Sequence, residues 1–163
     1  MTETARLAAE NEAELFVKRH SSDVFRLAYA VTGNRQDAED VSQEVFMTCF
    51  ARPRRFNGAV HEKRWLLRVT VNACRDLLSK RRPEKELKES DAAVTYVPKD
   101  GAVSEAVAAL PERERECVHL HYYCGYKISE IARISGESAG TVKSRLSRAR
   151  KKLSEMLGEE IEE

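Results

Sequence analysis

The feature that most constrains the fold is a basic segment at residues 140–152, with the sequence GTVKSRLSRARKK. At about 100° per residue, one side of a helix collects the apolar residues Val142, Leu146, Ala149 and Leu153. The opposite side carries hydroxyls and cations without a single acid: Thr141, Ser144, Arg148 and Lys152, flanked by Arg145 and Lys151. Such a helix docks through its apolar side and leaves phosphate- and base-contacting groups outward. The alternative is an ordinary solvated basic face.

The preceding segment, KISEIARISGES at residues 127–138, favours the first interpretation. It predicts a short helix, with Gly136 where a left-handed turn residue is needed and Ser138 as N-cap of the next helix. A short helix, a glycine turn and a longer basic helix predict a DNA-binding helix-turn-helix, although ordinary helical hairpins show similar patterns.

Composition indicates a largely helical chain. Among 163 residues there are only 7 Gly and 4 Pro, and 34% are charged, which suits one or two small domains. The net charge of +1 hides a strong asymmetry: acids gather near the N-terminus and at 37–44 and 155–163, and bases at 52–55, 63–82 and 143–152.

The sequence also gives an expectation for the compartment. No apolar run approaches the ~20 residues of a membrane span, and the acidic N-terminus is unlike a secretory signal. We therefore expect a cytoplasmic protein with its four cysteines reduced.

Two helical blocks are predicted, at about 13–82 and 104–157, with a connector of no sustained period between them. The first block is expected to hold four helices, because Ser21, Ser22 and Asp23 resemble a cap that splits the first one. In the segment before residue 32, the apolar face would be formed by Leu15, Phe16, Val24, Leu27, Ala28 and Val31.

The predicted helix over 35–50 has two unlike faces. One is a core face formed by Ala38, Val41, Val45 and Cys49. The other joins acids and an amide to large apolar side chains: Asp40, Gln43, Glu44, Met47 and Phe50. This combination indicates a protein-docking surface. Alternatively, Met47 and Phe50 bury under the neighbouring loop.

A second basic helix is predicted over 65–82. Its core face carries Leu66, Leu67, Thr70, Val71, Cys74, Leu77 and Leu78. Its far side is polar and basic: Trp65, Arg68, Asn72, Arg75, Asp76, Ser79 and Lys80, followed by Arg81 and Arg82. With Phe56 in the preceding loop, aromatic rings alternate with cations, as in single-stranded nucleic-acid binding sites. For Phe56, a role as a loop anchor in the core is equally compatible.

Five motifs in series make the chain resemble an extracytoplasmic-function sigma factor, a small two-domain member of the main bacterial sigma family. They are DAEDVSQEVFMTCF, RWLLRVTVNACRDLLSKRR, LPERERECVHLHYY, EIA and GTVKSRLSRARKKL. The resemblance implies an all-α fold of two small helical domains. Region 2 would span 1–82 and region 4 would span 104–163, and a linker at 83–103 would join them without a rigid interface. It implies promoter recognition without enzymatic activity or cofactor.

The resemblance also implies partners and roles, position by position. Asp37, Asp40, Gln43 and Glu44, on the face that carries Met47, match the helix that grips the clamp helices of the RNA polymerase largest subunit. The loop residues Phe56 and Asn57 match the part of the family that captures a base of the −10 element. Asn72, Arg75 and Asp76 match the neighbouring −10-reading surface, and Lys80, Arg81 and Arg82 would lie near the DNA backbone. The residue pattern of the helix, rather than the resemblance, adds Trp65 and Arg68 to this surface. The −35 element would be contacted by Thr141, Lys143, Ser144, Arg145, Ser147 and Arg148, with Lys151 beside them.

Further partners implied are the polymerase flap and an inhibitory anti-sigma factor, often membrane-bound, which would hold the protein at the membrane. No small-molecule substrate is expected. The chain departs from the family pattern in the turn, where Ser135, Glu137, Ser138 and Ala139 replace a leucine, an aliphatic residue, a proline and a larger aliphatic residue. Lys127 stands where a capping serine is common.

Other functions stay open at this point. Asp37, Glu39, Asp40 and Glu44 could form a carboxylate site, but no convergent His, Cys or Gly-rich loop accompanies them. Cys117, His121 and Cys124 share one face of an ideal α-helix and could bind zinc or sense oxidation. A helix-turn-helix regulator that binds duplex DNA without polymerase, or a helical adaptor for protein partners, would use the same basic faces.

Overall fold

The computed structural model describes residues 2–85 and 101–158, with the side chains of 82–85 outside the description. Within these ranges every regular element is helical, which confirms the predicted fold class. The elements are α1 (Glu3–Thr32), α2 (Arg35–Ala51), α3 (Ala59–Lys85), α4 (Gly101–Ala108), α5 (Glu112–Val118), a π-helical turn (His119–Tyr123), α6 (Ile128–Ser135) and α7 (Ala139–Leu157). Most of the predicted connector lies outside the described residues.

The first helix is continuous over 30 residues, so the predicted break at Ser21–Asp23 is wrong. Ser21 and Ser22 are exposed on the surface of the uninterrupted helix, where water can hydrate their hydroxyls, and they do not act as N-caps. Leu15, expected in the core, is exposed as well. The helix ends at Gly33, whose φ of 69° lets its N–H donate to the Tyr29 carbonyl.

Helices α1, α2 and α3 pack against one another around an apolar core. The core faces predicted for α2 and α3 are confirmed, with Leu77 only half-buried. Asn34 caps α2 by accepting from the N–H of Asp37 at 3.1 Å. Helix α3 begins at Ala59 rather than at Trp65, directly after Gly58 in a left-handed conformation.

The second half contains the predicted helix-turn-helix. Gly136 adopts φ 72° and ends α6, and the Ser138 hydroxyl accepts from the N–H of Thr141 at 3.1 Å, as expected for the N-cap of α7. The start of α6 lacks a capping hydroxyl, and the Glu130 carboxylate instead accepts from the N–H of Lys127 at 3.2 Å. The apolar side of α7 is buried as predicted: Val142, Leu146, Ala149 and Leu153.

The two halves of the chain are packed together, which differs from the expectation of domains without a rigid interface. Helix α3 contacts α6, and α1 contacts α5. The Arg115 guanidinium donates from α5 to the carbonyls of Ala30 and Val31 at the end of α1. These carbonyls have no partner within their own helix, so an arginine from the other half satisfies them. No helix in the described residues is long and apolar enough to cross a bilayer.

Candidate nucleic-acid interface

Helix α7 presents an open concave surface of small hydroxyls and cations. It is lined by Ser138, Gly140, Thr141, Lys143, Ser144, Ser147 and Arg148. Lys143, Ser144, Ser147, Arg148 and the neighbouring Lys151 are exposed. The buried apolar side fixes the helix, and the exposed side offers donors suited to phosphates and to base edges in a major groove.

Two cations of the predicted basic face pair with acids outside α7. Arg145 donates to the carboxylate of Glu137, and Lys152 donates to Glu114 of α5 at 2.9 Å. The sequence placed Lys152 on the polar side and Arg145 beside it, but both side chains pair with acids from other parts of the second half.

Glu137 lies at the centre of a charged group that we call the Glu137 cluster: Arg75, Arg113, Glu116, Glu137 and Arg145. Its carboxylate accepts from Arg113 at 3.0 Å, from Arg75 at 3.3 Å and from Arg145. Burial would raise the pKa of Glu137, but the hydrogen bond and charge of Arg145 and the charges of Arg75 and Arg113 lower it below its usual value. Glu137 is therefore ionised at neutral pH.

The second acid of the cluster is in a less favourable position. The Glu116 side chain is 1% exposed and accepts from Arg75 at 2.9 Å. Burial raises the pKa of Glu116, and the hydrogen bond from Arg75 only partly opposes this shift. Removing Arg75 would leave this carboxylate buried without its cation.

The basic face of α3 is divided between free and engaged side chains. Asn72, Asp76 and Lys80 are exposed. Arg68 is also exposed, but its guanidinium donates to the Arg133 carbonyl at 3.0 Å. Both terminal nitrogens of the Arg75 guanidinium are engaged, since it also donates to the Ser135 carbonyl at 2.7 Å.

At the end of α3, the predicted DNA-contacting cation Arg81 is paired with an acid of α2. Arg81 pairs with Asp37, whose side chain is only 9% exposed. Asp37 therefore lies under α3 rather than on the exposed face of α2, and its role in polymerase binding stays a prediction. The side chain of Arg82 lies outside the described residues.

An aromatic cluster lies at the start of α3. The rings of Phe56 and Trp65 are 5.3 Å apart between centroids, and the Arg54 guanidinium lies 5.3 Å from the centre of the Trp65 ring. Asn57 is exposed, and its backbone N–H donates to the imidazole of His61 at 3.1 Å. The structure thus joins the two aromatics that the sequence placed separately, and both rings are half-buried.

The exposed face of α2 carries the predicted mixture of acids and apolar groups. A shallow depression is lined by Asp40, Gln43, Glu44, Met47, Thr48 and Ala51, which we call the α2 patch. Met47 is 64% exposed and Phe50 is 45% exposed. The alternative that both bury under the neighbouring loop is therefore wrong.

The described residues give no support to the carboxylate site or to the zinc site considered from the sequence. In the described part of the chain, no group of three His, Cys, Asp or Glu side chains is placed to hold a metal ion. The π-helical turn at His119–Tyr123 changes the helical register between Cys117 and Cys124, so the shared α-helical face assumed from the sequence is wrong. Burial raises the pKa of Cys117 to about 12, which disfavours the reactive thiolate.

Sequence reasoning missed the contacts that join the two halves. Arg115 and Glu116 lie within the LPERERECVHLHYY motif, but no contact or role was predicted for them. Sequence reasoning also assigned no role to Tyr122 and Tyr123, which are 49% and 65% exposed on the π-helical turn.

Comparisons with known proteins cover both halves of the chain. The Sigma-70 region 2 family model matches residues 16–84, and the Sigma-70 region 4 model matches residues 100–153. The chain is 33% identical over 148 residues to the ECF RNA polymerase sigma factor SigM of Mycobacterium tuberculosis, covering 86% of this chain and 74% of that protein. It is 30% identical over 139 residues to the RNA polymerase sigma factor SigV of Bacillus subtilis, covering 81% and 82%.

Solved structures show a similar fold. The sigma factor RpoE of Bartonella quintana, in complex with the anti-sigma factor NepR, aligns with a TM-score of 0.71 and 23% identity, covering 89% of this chain and 96% of that one. CnrH in complex with the cytosolic domain of CnrY aligns with a TM-score of 0.62 and 25% identity, covering 91% and 89%.

Proposed function

Because the chain belongs to the extracytoplasmic-function sigma factors of bacterial RNA polymerase, we propose specific roles for its three exposed surfaces in promoter recognition. The protein is an initiation factor that binds polymerase core and directs it to promoters with a −35 and a −10 element. The observation that carries our assignment is the placement of two basic faces on α3 and α7 and one acidic, apolar patch on α2.

Helix α7 contacts the −35 duplex in this proposal. Ser144, Ser147 and Arg148 are exposed on the side opposite the buried apolar residues, so the helix can enter a major groove without losing its core contacts. Thr141 and Lys143 lie near the N-terminal end of the helix, where backbone N–H groups also favour a phosphate. Lys151 extends the contact along the backbone.

The start of α3 and the preceding loop contact the melted −10 strand. Opening a base pair and unstacking a base cost a few kcal/mol, which a protein offsets by giving the base a new stacking surface. Phe56 and Trp65 supply aromatic faces with Arg54 beside them, and Asn57 is exposed for base recognition. Asn72, Asp76 and Lys80 continue the same polar face along α3.

The α2 patch holds polymerase core. Met47 in the patch and the neighbouring Phe50 expose apolar surface, and the acids of the patch match a basic partner surface. We assign the largest-subunit clamp helices to this patch and the flap to the second half of the chain. Each DNA contact then raises the effective concentration of the other, so two modest contacts act together.

We also propose regulation by an anti-sigma factor, as in the complex that RpoE forms with NepR. Such a partner would cover the DNA-facing surfaces of α3 and α7. If it is membrane-bound, it would hold this protein at the cytoplasmic side of the membrane.

The test is run-off transcription with purified core polymerase over a randomised promoter library. We expect enrichment of a pair of sequence motifs at a fixed spacing, only when this protein is present. Tight binding of the free protein to an enriched duplex, unchanged by core polymerase, would instead favour a helix-turn-helix regulator. An absence of any effect of sequence on initiation would contradict both functions.

A further inference from the structure

Arg145 lies on the same side of α7 as two residues of the DNA-facing surface, but it contacts a protein acid. Residues three and four positions apart share a face of a helix, so Arg145 falls beside Thr141 and Arg148. Both of these residues line the open concave surface. The Arg145 guanidinium instead donates to the Glu137 carboxylate, and its side chain is 19% exposed. One cation of the predicted −35 face is therefore already bound.

The turn of the helix-turn-helix fixes the acid that binds this cation. The backbone N–H of Glu137 donates to the Ala132 carbonyl at 3.1 Å, and the next residue, Ser138, is the N-cap of α7. The Glu137 side chain is 16% exposed, so surrounding protein atoms limit its orientation. Glu137 thus lies at the start of α7, about two helical turns from Arg145.

The two oxygens of the Glu137 carboxylate have different partners. Oε1 accepts from Arg113 at 3.0 Å and from Arg75 at 3.3 Å, whereas Oε2 accepts from Arg145. Arg113 lies on α5, so two of the three arginines come from the same half of the chain as the acid. The contact between Glu137 and Arg145 therefore does not depend on how the two halves are placed.

The electrostatics of this pair favour its persistence beside DNA. The hydrogen bond from Arg145 to Glu137 raises the pKa of the guanidinium. Burial would raise the pKa of Glu137, but the hydrogen bond and charge of Arg145 help to lower it. A charged hydrogen bond that is largely shielded from water is stronger than an exposed ion pair. Moving Arg145 to a phosphate would also leave Oε2 without its cation.

We propose that Glu137 withholds Arg145 from the DNA backbone, so that α7 binds the −35 duplex through Arg148, Lys143 and the hydroxyls of the concave surface without this cation. Glu137 is a positioning residue, because it acts on DNA through Arg145. Phosphate contacts add affinity without reading sequence, so the loss of one makes binding depend more on base contacts. This inference rests on the proposed function, since it concerns the duplex bound by α7.

The experiment measures binding of the holoenzyme, formed from core polymerase and the full-length chain, to a promoter duplex enriched in the library and to an unrelated duplex. Glu137→Gln preserves the size of the side chain and removes its charge, so Arg145 should be released. We expect the affinity for both duplexes to rise by the same factor, about fivefold. The slope of log affinity against log salt concentration should steepen by about one.

A second variant covers the case in which glutamine still accepts from Arg145. Glu137→Leu has no acceptor, and it should strengthen binding at least as much as Glu137→Gln. Circular dichroism verifies that each variant is folded. Unchanged affinity and salt dependence in both folded variants would overturn the proposal.

Arg145→Ala tests whether the released cation causes the gain. In combination with Arg145→Ala, Glu137→Gln should change affinity by less than about twofold and leave the salt slope at the parent value. Glu137→Gln could also strengthen binding by removing a charge that repels phosphates. That gain would persist without Arg145, and its persistence would contradict the proposal.

Arg113→Ala is the matched control, because Arg113 pairs with the same carboxylate from α5 rather than from α7. Arg145→Ala and Arg113→Ala should weaken binding equally, by less than about twofold, and both should keep the parent salt slope. A larger loss for Arg145→Ala alone, with a slope shallower by about one, would show that Arg145 already contacts a phosphate. A gain for Glu137→Gln confined to the promoter duplex would indicate a base contact and overturn the backbone assignment.

Binding by the parent holoenzyme distinguishes failure of this inference from failure of the proposed function. If the parent selects the promoter duplex but the Glu137 and Arg145 variants show no coupling, only the role of Glu137 is removed. If the parent holoenzyme does not select the promoter duplex over the unrelated one, the proposed function itself is removed.

Discussion

Helices α3 and α7 carry similar basic faces, but the two faces differ in how many of their side chains are exposed and free of protein partners. On α7, Lys143, Ser144, Ser147 and Arg148 are exposed over an open surface. On α3, Arg75 is enclosed by acceptors from α5 and from the turn after α6. The same residue type is therefore ready for DNA on one helix and already bound on the other. This contrast teaches that a charge pattern specifies which face is polar but not whether that face is available.

The largest expected effect concerns His119, in the π-helical turn of the second half. Burial and the nearby charge of Arg26 lower the pKa of His119 to about 4 from 6.5. The unfolded chain then binds more protons between these pH values, so stability is fully present above pH 6.5 and is lost as the pH falls toward 4. We expect a loss of up to about 3 kcal/mol across this window in urea titrations.

His119→Gln tests the assignment, because glutamine cannot titrate. The variant should lose most of the slope of stability against pH between 6.5 and 4, whereas His61→Gln, in the first turn of α3, should retain it. Identical slopes for the parent chain and His119→Gln would show that another group causes the acid sensitivity.

The exposed face of α7 should respond strongly to a single truncation. Arg148→Ala removes a cation that is free to contact the duplex, and we expect roughly tenfold weaker promoter recruitment of the holoenzyme, since one good base or phosphate contact is worth about 1–3 kcal/mol. Arg150→Ala is the control, because Arg150 is half-buried and donates to the Tyr122 hydroxyl at 3.3 Å. Equal recruitment by the two variants, measured by gel shift with core, would contradict the assignment of the face.

The exposed part of α3 should affect opening rather than recruitment. Asn72→Ala is expected to reduce the open-complex fraction several-fold at a fixed promoter, because it removes hydrogen bonds made only to the melted strand. Permanganate footprinting measures the opening, with Asn11→Ala on the exposed start of α1 as the control. If Asn72→Ala weakens recruitment but leaves opening intact, the −10 assignment of α3 is wrong.

The α2 patch should affect binding to core polymerase and leave DNA contacts unchanged. Asp40→Lys reverses an exposed charge within the patch, and we expect affinity for core to fall about fivefold. Glu39→Lys makes the same change one residue away, where the parent side chain pairs with Arg35 at 3.2 Å. Fluorescence anisotropy with labelled protein gives both affinities. An undiminished affinity of Asp40→Lys would remove the docking assignment.

The smallest effect is expected for Arg75, whose guanidinium already donates to the Ser135 carbonyl, Glu116 and Glu137. Because this side chain is held by protein acceptors, Arg75→Ala should change transcription with core by less than about threefold, below the value of a free DNA contact. Run-off transcription measures the change, with Arg148→Ala as the reference. A loss as large as that of Arg148→Ala would show that Arg75 contacts DNA despite its protein partners.

Much of the fold followed from local patterns. The apolar periodicity gave the core faces of α2, α3 and α7, and the chemistry of Gly136 and Ser138 gave the turn between α6 and α7. These features depend on residues within one or two helical turns of each other. The predicted break in α1 failed because capping residues also occur on the exposed face of an uninterrupted helix.

The arrangement of the halves could not be predicted in this way. Arg75 and Ser135 are 60 positions apart, and nothing in the helical period indicates that a guanidinium will find that carbonyl. For the same reason the sequence placed Asp37 with the exposed acids of α2, although a contact with Arg81, 44 positions later, holds it inside. The polar faces were visible from the sequence, and their partners were not.

The end of α1 has a consequence for how this chain assembles as it leaves the ribosome. The carbonyl of Ala30 receives its hydrogen bond from Arg115, 85 positions later. At a synthesis rate of about 5–20 residues per second, the end of α1 is made roughly 4–17 seconds before that guanidinium exists. The nascent amino-terminal half therefore carries an unfinished helix end until translation supplies the residue that completes it.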